Sequence, residues 1–250
     1  MFPWRSMQIL DLFSGIGGAS LGLNWAGMRT LAFCEQDRFC RAILTRHWPG
    51  IPIYHDIRTV TASRLANDGL AQPDLIVGGF PCQDISLAGR GAGLAAPRSG
   101  LWSHMERLVA ECRPRWVVAE NVPGLRLRGA DQICTALEAL RYTCWPLLVG
   151  AVHAGAPHKR QRVWLVARNN APNPARPGLE TRQPRPTPPP PGLPPERHRG
   201  WPPEPGIRRM ADGLPPGLDR RPRIHALGNA ILPANAAMLG RAILNADSAL

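Results

Sequence analysis

The sequence has almost no lysine and no long apolar run. Lys159 is the only lysine among 30 basic residues in a chain of 250. No segment approaches the roughly 20 consecutive apolar residues that a membrane-spanning helix needs. The first residues lack the apolar core and small-residue cleavage site of a secretory signal. These absences exclude a transmembrane protein, and the lack of any internal repeat excludes collagen-like and coiled-coil proteins.

The cysteines lack the spacing of a metal site. Six are present, but no two have CxxC spacing and no paired histidines follow them. We therefore expect no metal. Without an export signal we expect reduced thiols in the cytoplasm, most of them acting as small buried apolar side chains.

Acidic residues are too few to balance the basic ones. The net charge is +12, of which residues 1–150 contribute +3 and residues 151–250 contribute +9. With 44% hydrophobic residues the chain is globular, and its excess positive charge favours a polyanionic partner. Arginine is suited to bidentate contact with phosphate or guanine. A basic surface that serves only solubility is the alternative.

Short apolar segments alternate with amphipathic ones over the first 168 residues. This alternation predicts an α/β fold with a mostly parallel sheet and helices on both faces, whose ligands bind at the carboxyl ends of the strands. Predicted strands are 7–10, 30–34, 74–77, 115–119, 145–152 and 162–167. Predicted helices are 18–26, 37–48, 99–112 and 131–141.

Proline divides the chain into three parts. Residues 169–223 hold 17 of the 28 prolines, which predicts loop or polyproline II structure there. Residues 1–168 form the α/β domain. Apolar periodicity returns at 224–244 and resembles a terminal helix after Pro233, so residues 224–250 are predicted to hold a C-terminal motif and a helix that packs back on that domain.

A glycine-rich turn follows the first predicted strand. Residues 11–18 read DLFSGIGG, and Glu35 lies 20 residues after Gly15, at the end of the second strand. Glycines allow a ligand to approach the backbone, and an acid in this position accepts hydrogen bonds from ribose hydroxyls. The pattern indicates a nucleoside-cofactor pocket, although Ser20 breaks the GxGxxG motif of dinucleotide sites. A tight structural turn is the alternative.

Three further motifs place reactive side chains at strand ends. GGFPCQDIS puts Cys82 after the third main strand, where a thiolate would be a nucleophile. ENVPG puts Glu120 after the next, where an apolar rim raises the pKa of a carboxyl group. Arg160 and Arg162 share a face if a strand begins there, and paired guanidiniums suit a phosphate and a carbonyl oxygen. A turn cysteine, a solvated acid and an edge charge cluster are the alternatives.

These motifs, in this order, resemble the DNA cytosine-5 methyltransferases, in particular compact bacterial and phage-type members. The resemblance also includes Asp56-Ile57 and the ALGNA segment at 226–230 with Pro233, and it extends over positions 11 to 235. It implies a Rossmann-like, S-adenosylmethionine-dependent methyltransferase fold. A small irregular proline-rich target-recognition lobe would occupy 169–223.

The resemblance implies a covalent mechanism on a cytosine that has been flipped out of the duplex. Cys82 would add to C6 of the ring while Glu120 hydrogen-bonds or protonates N3. Arg162 would hold O2 of the cytosine, and Arg160 would support the Cys82 loop or a nearby phosphate.

The same resemblance assigns the residues around the methyl donor and the DNA. Asp11 would meet the amino group of S-adenosylmethionine, Phe13 would stack on its adenine, and Glu35 would bind its ribose. The remaining cofactor residues are Gly15, Gly17, Gly18, Asp56, Ile57, Pro81, Leu101 and Asn229. The expected DNA contacts are Gln83, Ser86, Arg98, Arg182, Arg185, Arg197 and Arg199.

The expected partner is double-stranded DNA, bound by a monomer with no membrane association. A cognate restriction endonuclease that acts on the same site is a further expected partner. The expected location is a bacterial cytoplasm, with the gene carried by the host or by a phage. Because the recognition region is short and rich in phosphate-binding arginine, we expect a short or loosely defined target. The alternatives are an RNA cytosine-5 methyltransferase, a catalytically silent DNA-binding relative, and a nicotinamide oxidoreductase. The last would leave Cys82 and Glu120 without a role.

Overall fold

A mostly parallel sheet forms the centre of the molecule. The computed structural model describes residues 6–81, 100–156, 160–170 and 220–248. Within these ranges seven strands lie in the order β3-β2-β1-β4-β5-β7-β6. They are β1 Gln8–Leu12, β2 Arg29–Cys34, β3 Ile53–Tyr54, β4 Leu75–Gly78, β5 Trp116–Asn121, β6 Tyr142–Val149 and β7 Arg162–Asn169. Strands β1 to β5 are mutually parallel, and β7 runs antiparallel to both of its neighbours, β5 and β6, so the predicted fold class is confirmed.

Helices follow the strands along the chain. Those in the described residues are α1 Gly18–Trp25, α2 Arg38–His47, α3 Ala62–Asn67, α4 Gly100–Cys112, α5 Leu125–Arg128, α6 Ala130–Ala139, α7 Arg220–Asn229 and α8 Pro233–Ser248. None of these described helices combines the length and the apolar character that crossing a membrane requires. Helix α2 begins after Asp37, whose carboxylate accepts the Cys40 amide at 2.8 Å.

The C-terminal segment contains two helices. Helix α8 begins at Pro233, where the sequence predicts a terminal helix and where the missing amide of proline costs nothing. Helix α7, which ends at Asn229, precedes it and was not predicted.

Each face of the sheet has its own apolar core. Leu10, Leu12 and Ile76 point to one face and pack with α4 and α6. Ile9 and Val77 point to the other and pack with α1 and α8. This alternation is the two-residue period of strands that are buried on both sides.

Helices α1 and α8 lie in close contact. A Cβ atom on Gly22 would lie 2.0 Å from the carbonyl oxygen of Pro233, and one on Gly240 would lie 2.9 Å from Cβ of Ala26. The end of α8 is held by Asp247, which accepts a hydrogen bond from Nε1 of Trp116 at 3.1 Å and pairs with Arg115. The packing of α1 on α8 and the Asp247 contacts together place the segment before α8 over the glycine-rich turn.

Candidate active site

The carboxyl ends of β1, β2, β4 and β5 meet at one edge of the sheet. Because parallel strands end at the same edge, the turn after β1, Glu35 after β2, Gly79 after β4 and Glu120 near the end of β5 share it. This edge is where ligands of such sheets bind.

Glu35 holds the glycine-rich turn in place. Its Oε2 accepts the amide of Gly15 at 2.7 Å, and its Oε1 accepts the amide of Asp37 at 2.7 Å. Gly15 has a φ of 54°, in the left-handed region that glycine adopts without strain. A Cβ atom there would meet nothing within 4 Å, so open space faces this turn.

The next glycine lies against the C-terminal segment. A Cβ atom on Gly18 would lie 2.1 Å from the carbonyl oxygen of Ile231, between α7 and α8. No side chain fits there, which explains why the turn needs glycine at this position. Gly17, with a φ of 84°, packs similarly against Trp48.

Asp11 is buried under the turn. Its carboxylate oxygen Oδ2 accepts the hydroxyl of Ser20 at 2.7 Å and the amide of Ser20 at 3.2 Å. Burial raises its pKa to about 7 despite these hydrogen bonds, which favour the charged form. With 1% of its surface exposed, Asp11 joins β1 to the first turn of α1.

Three apolar residues that are predicted to bind the cofactor, Phe13, Ile57 and Leu101, belong to one apolar cluster or pack against it. Phe13 and Leu101 are half-buried and pack against the core that contains Ile57. Arg107 of α4 donates to the carbonyl oxygen of Ile57 at 3.1 Å and so fixes that segment. Phe13 lies two residues before Gly15, so this cluster extends to the glycine-rich turn.

Asp56 has a partner of its own. The Arg58 side chain donates to both its carboxylate oxygens, from Nε at 2.9 and 3.0 Å and from Nη2 at 2.7 Å. These bonds hold the pKa of Asp56 below its usual value. The carboxylate must therefore share its hydrogen bonds, or leave Arg58, if it is to meet an amine.

Buried Glu120 forms an ion pair with Arg162, which is half-buried. The Arg162 Nε atom lies 3.0 Å from Oε1 of Glu120, whose side chain is 8% exposed. Burial raises the pKa of Glu120 to about 7, although Arg162 and then Arg160 act in the opposite direction. Burial prevails, so near neutral pH the carboxyl group takes up and releases a proton readily.

Arg160 contacts the C-terminal segment. Its Nη2 donates to the carbonyl oxygens of Gly228 at 2.8 Å and Ala230 at 2.6 Å. The Cys82 loop, which Arg160 is predicted to support, lies outside the described residues. The neighbouring Asn229 side chain is exposed and lies 3.1 Å from Nε2 of His225.

The chain that leads to Cys82 is anchored beside Glu120. A Cβ atom on Gly79 would lie 3.1 Å from Oε2 of Glu120. The Nδ2 atom of Asn121 donates to the carbonyl oxygen of Phe80 at 2.9 Å, and Pro81 follows as an exposed residue. The predicted residues that lie outside the described ranges are Cys82, Gln83, Ser86, Arg98, Arg182, Arg185, Arg197 and Arg199.

Sequence reasoning missed four residues that shape this edge. Ser20, Arg107 and Asn121 each fix a site segment by a side-chain hydrogen bond, and Ile231 lies between Gly18 and Gly79. Only Asn121 had a local signal, as part of ENVPG. The others act across the fold, so the sequence near them carries no mark of the contact.

Comparison with known proteins identifies the family to which this chain belongs. Residues 7–195 match the model of the C-5 cytosine-specific DNA methylase family. The Type II methyltransferase M2.BsuMI of Bacillus subtilis (strain 168) is 37% identical over 169 residues, which are 64% of this chain and 42% of that protein. M.HgiBI of Herpetosiphon aurantiacus is 31% identical over 65% of this chain and 37% of its own length. The chain thus spans less than half the length of these two relatives.

A solved structure agrees with the sequence comparisons. A protein described as a DNA modification methyltransferase encoded within an E. coli prophage aligns with a TM-score of 0.56 and 28% identity. The alignment covers 66% of this chain and 47% of that protein. The family model spans about three quarters of the sequence and includes the glycine-rich turn, the Glu120 strand and the arginine pair. The chain belongs to the C-5 cytosine-specific DNA methylase family.

Proposed function

We propose that this protein transfers a methyl group from S-adenosylmethionine to C5 of a cytosine flipped out of duplex DNA. The observation that carries the proposal is the Glu120–Arg162 pair, buried at the carboxyl end of β5 beside Gly79 and Phe80. Two residues after Phe80 comes Cys82. An acid near its pKa, a guanidinium and a cysteine are the groups that this chemistry requires.

The residues of the turn fit the methyl donor. C-5 cytosine methyltransferases use S-adenosylmethionine. Open space lies at Gly15, Phe13 and Leu101 provide apolar walls for an adenine, and Glu35 lies where a ribose binds in such sheets. When bound, this cofactor supplies an electrophilic methyl group. Glu35 already accepts two amides, so its oxygens would receive the ribose hydroxyls through their remaining lone pairs.

Cys82 begins the reaction by adding its thiolate to C6 of the cytosine. Protonated Glu120 transfers its proton to N3 and so draws electrons from the ring as the S–C6 bond forms, while Arg162 binds O2 and stabilises the carboxylate that this transfer leaves on Glu120. The electron pair at C5 would take the methyl group, with S-adenosylhomocysteine as the leaving group. A base would then remove the C5 proton, the N3 proton would return to Glu120, and Cys82 would leave as the thiolate while the C5–C6 double bond forms again.

The test is methyl transfer from labelled S-adenosylmethionine to duplex DNA by the purified chain. We expect label in 5-methylcytosine, and Cys82→Ser to reduce the rate by at least about a hundredfold, since a hydroxyl is a far weaker nucleophile. Cys134→Ser is the matched control and should retain activity, because Cys134 lies on α6 away from this edge. Methyl transfer at the wild-type rate by Cys82→Ser would reject the mechanism.

RNA is the second candidate substrate. The relatives named above are described as Type II or DNA modification methyltransferases, which favours DNA. Equal concentrations of duplex DNA and structured RNA in the same assay decide between them, and label chiefly in RNA would overturn the DNA assignment. Action as a monomer, a cognate endonuclease and a bacterial or phage setting stay predictions.

A further inference from the structure

Helix α5 displays the most exposed large apolar side chain in the described ranges. Leu127 is 92% exposed, whereas Leu125, two residues before it, is 1% exposed. The backbone between them is held by bonds from the Leu127 amide to the Gly124 carbonyl at 3.3 Å and from the Gly129 amide to the Leu125 carbonyl at 3.1 Å. Leu125 therefore anchors a short projection, and Leu127 forms its tip.

This projection is joined to the active-site edge through one residue. Asn121, the last residue of β5, accepts the Val122 amide at 2.8 Å through its side-chain oxygen. Its side-chain nitrogen donates to the carbonyl oxygen of Phe80. The side-chain amide group of Asn121 thus fixes both the start of the projection and the chain that leads to Cys82.

The projection combines apolar and positively charged groups. Val122 is 36% exposed and is the second large apolar residue of this segment that reaches solvent. Arg126, between them in sequence, is exposed to solvent. An apolar tip beside a cation is complementary to a DNA duplex, which has apolar stacked bases inside a rim of phosphates.

We propose that Leu127 is a wedge that enters the base stack at the target cytosine and holds open the gap that base flipping leaves. This rests on the proposed function, because the gap exists only if a base is extruded. Apolar wedges of leucine or similar residues between base steps are an established means of unstacking DNA. Arg126 then contacts a neighbouring phosphate and fixes the depth of insertion.

The test compares a paired target with one that is already unstacked. Methylation is measured on a duplex whose target cytosine faces guanine and on the same duplex with an abasic site opposite the cytosine. We expect Leu127→Ala to lower kcat/KM on the paired duplex roughly tenfold, since the wedge offsets the cost of unstacking. On the abasic duplex we expect a value within about twofold of the wild type, because that cost is already removed.

Trp25→Ala is the control. Trp25 is 58% exposed at the end of α1, at the opposite edge of the sheet, and its loss should change neither rate. Arg126→Gln should weaken DNA binding and lower the slope of log affinity against log salt by about 1.

Two outcomes overturn the wedge while leaving the proposed function intact. In one, Leu127→Ala methylates the paired duplex as fast as the wild type. In the other, it loses the same factor on both duplexes, which would assign Leu127 to general docking. A wild-type protein that methylates neither duplex would instead reject the proposed function and the wedge with it.

Discussion

At the scale of single residues, two buried carboxyl groups carry the chemical character of this site. Burial raises the pKa of both Asp11 and Glu120 to about 7. Their neighbours differ, since Asp11 accepts two hydrogen bonds from Ser20, whereas Glu120 pairs with Arg162. The first holds the cofactor turn to the sheet, and the second faces the chain that leads to Cys82.

Glu120 should give the reaction a pH dependence. Because the protonated carboxyl donates to the cytosine, kcat/KM should fall about tenfold per pH unit above pH 7. Glu120→Gln should lower the rate by a factor on the order of 10² to 10⁴ and remove that fall, since an amide does not transfer the proton. A pH profile of both proteins checks this, and an unchanged fall in Glu120→Gln would assign the titration to another group.

Asp11 should make the fold less stable as pH rises. Its folded pKa is above the unfolded value of 3.8, so its contribution is complete below about pH 4 and is lost as pH approaches and passes 7. Between pH 5 and 8 this loss amounts to about 3 kcal/mol. Asp11→Asn keeps an acceptor for Ser20 but does not ionise. In urea unfolding, the free energy of unfolding should decline less with rising pH for Asp11→Asn than for the wild type. Parallel declines in the two proteins would contradict this expectation.

At the scale of elements, the segment between α7 and α8 joins the two halves of the site. The carbonyl oxygen of Ile231 closes on Gly18 at the cofactor turn, and its side chain lies near Gly79. Arg160, at the start of β7, holds the carbonyls of Gly228 and Ala230. This segment is therefore a wall common to the glycine turn and the Glu120 region.

Arg160→Met should loosen that wall while leaving the apolar stem in place. Losing charge-assisted hydrogen bonds to two carbonyls should speed amide hydrogen exchange in residues 227–231 and weaken S-adenosylmethionine binding several-fold. Arg162→Met is the matched control, because Arg162 pairs with Glu120. It should abolish activity without changing exchange there. Equal exchange in both variants would show that Arg160 does not hold the segment.

The elements were predictable where the apolar pattern is local. The alternation of strands and helices, and the placement of Glu35 and Glu120 at strand ends, followed from sequence alone. The reversal of β7 did not, since strand direction depends on pairing between distant strands. Helix α7 was missed as well, because it begins inside the proline-rich stretch. The contacts of Arg160 were missed because its partners lie about 70 residues away.

At the scale of the whole molecule, charge is unevenly distributed along the chain. The last hundred residues carry +9 of the net +12, and arginine supplies nearly all of it. Contacts from such a region go chiefly to phosphates, which position a protein on DNA without reading sequence.

DNA binding should therefore depend strongly on salt and weakly on sequence. The logarithm of affinity should fall linearly with the logarithm of salt concentration, with a slope of about −0.9 per phosphate contacted. Titrating duplexes of unrelated sequence at several salt concentrations measures both properties. A shallow slope, or affinities that differ by orders of magnitude between sequences, would contradict this expectation.

The most direct measurement is base-resolution sequencing of methylated cytosines in a plasmid from cells that express this chain. A parallel culture expresses Cys82→Ser. The account predicts 5-methylcytosine at a short or degenerate set of sites in the first plasmid and none in the second. The same methylated positions in both plasmids, or a methyl group on the exocyclic nitrogen instead of C5, would contradict it.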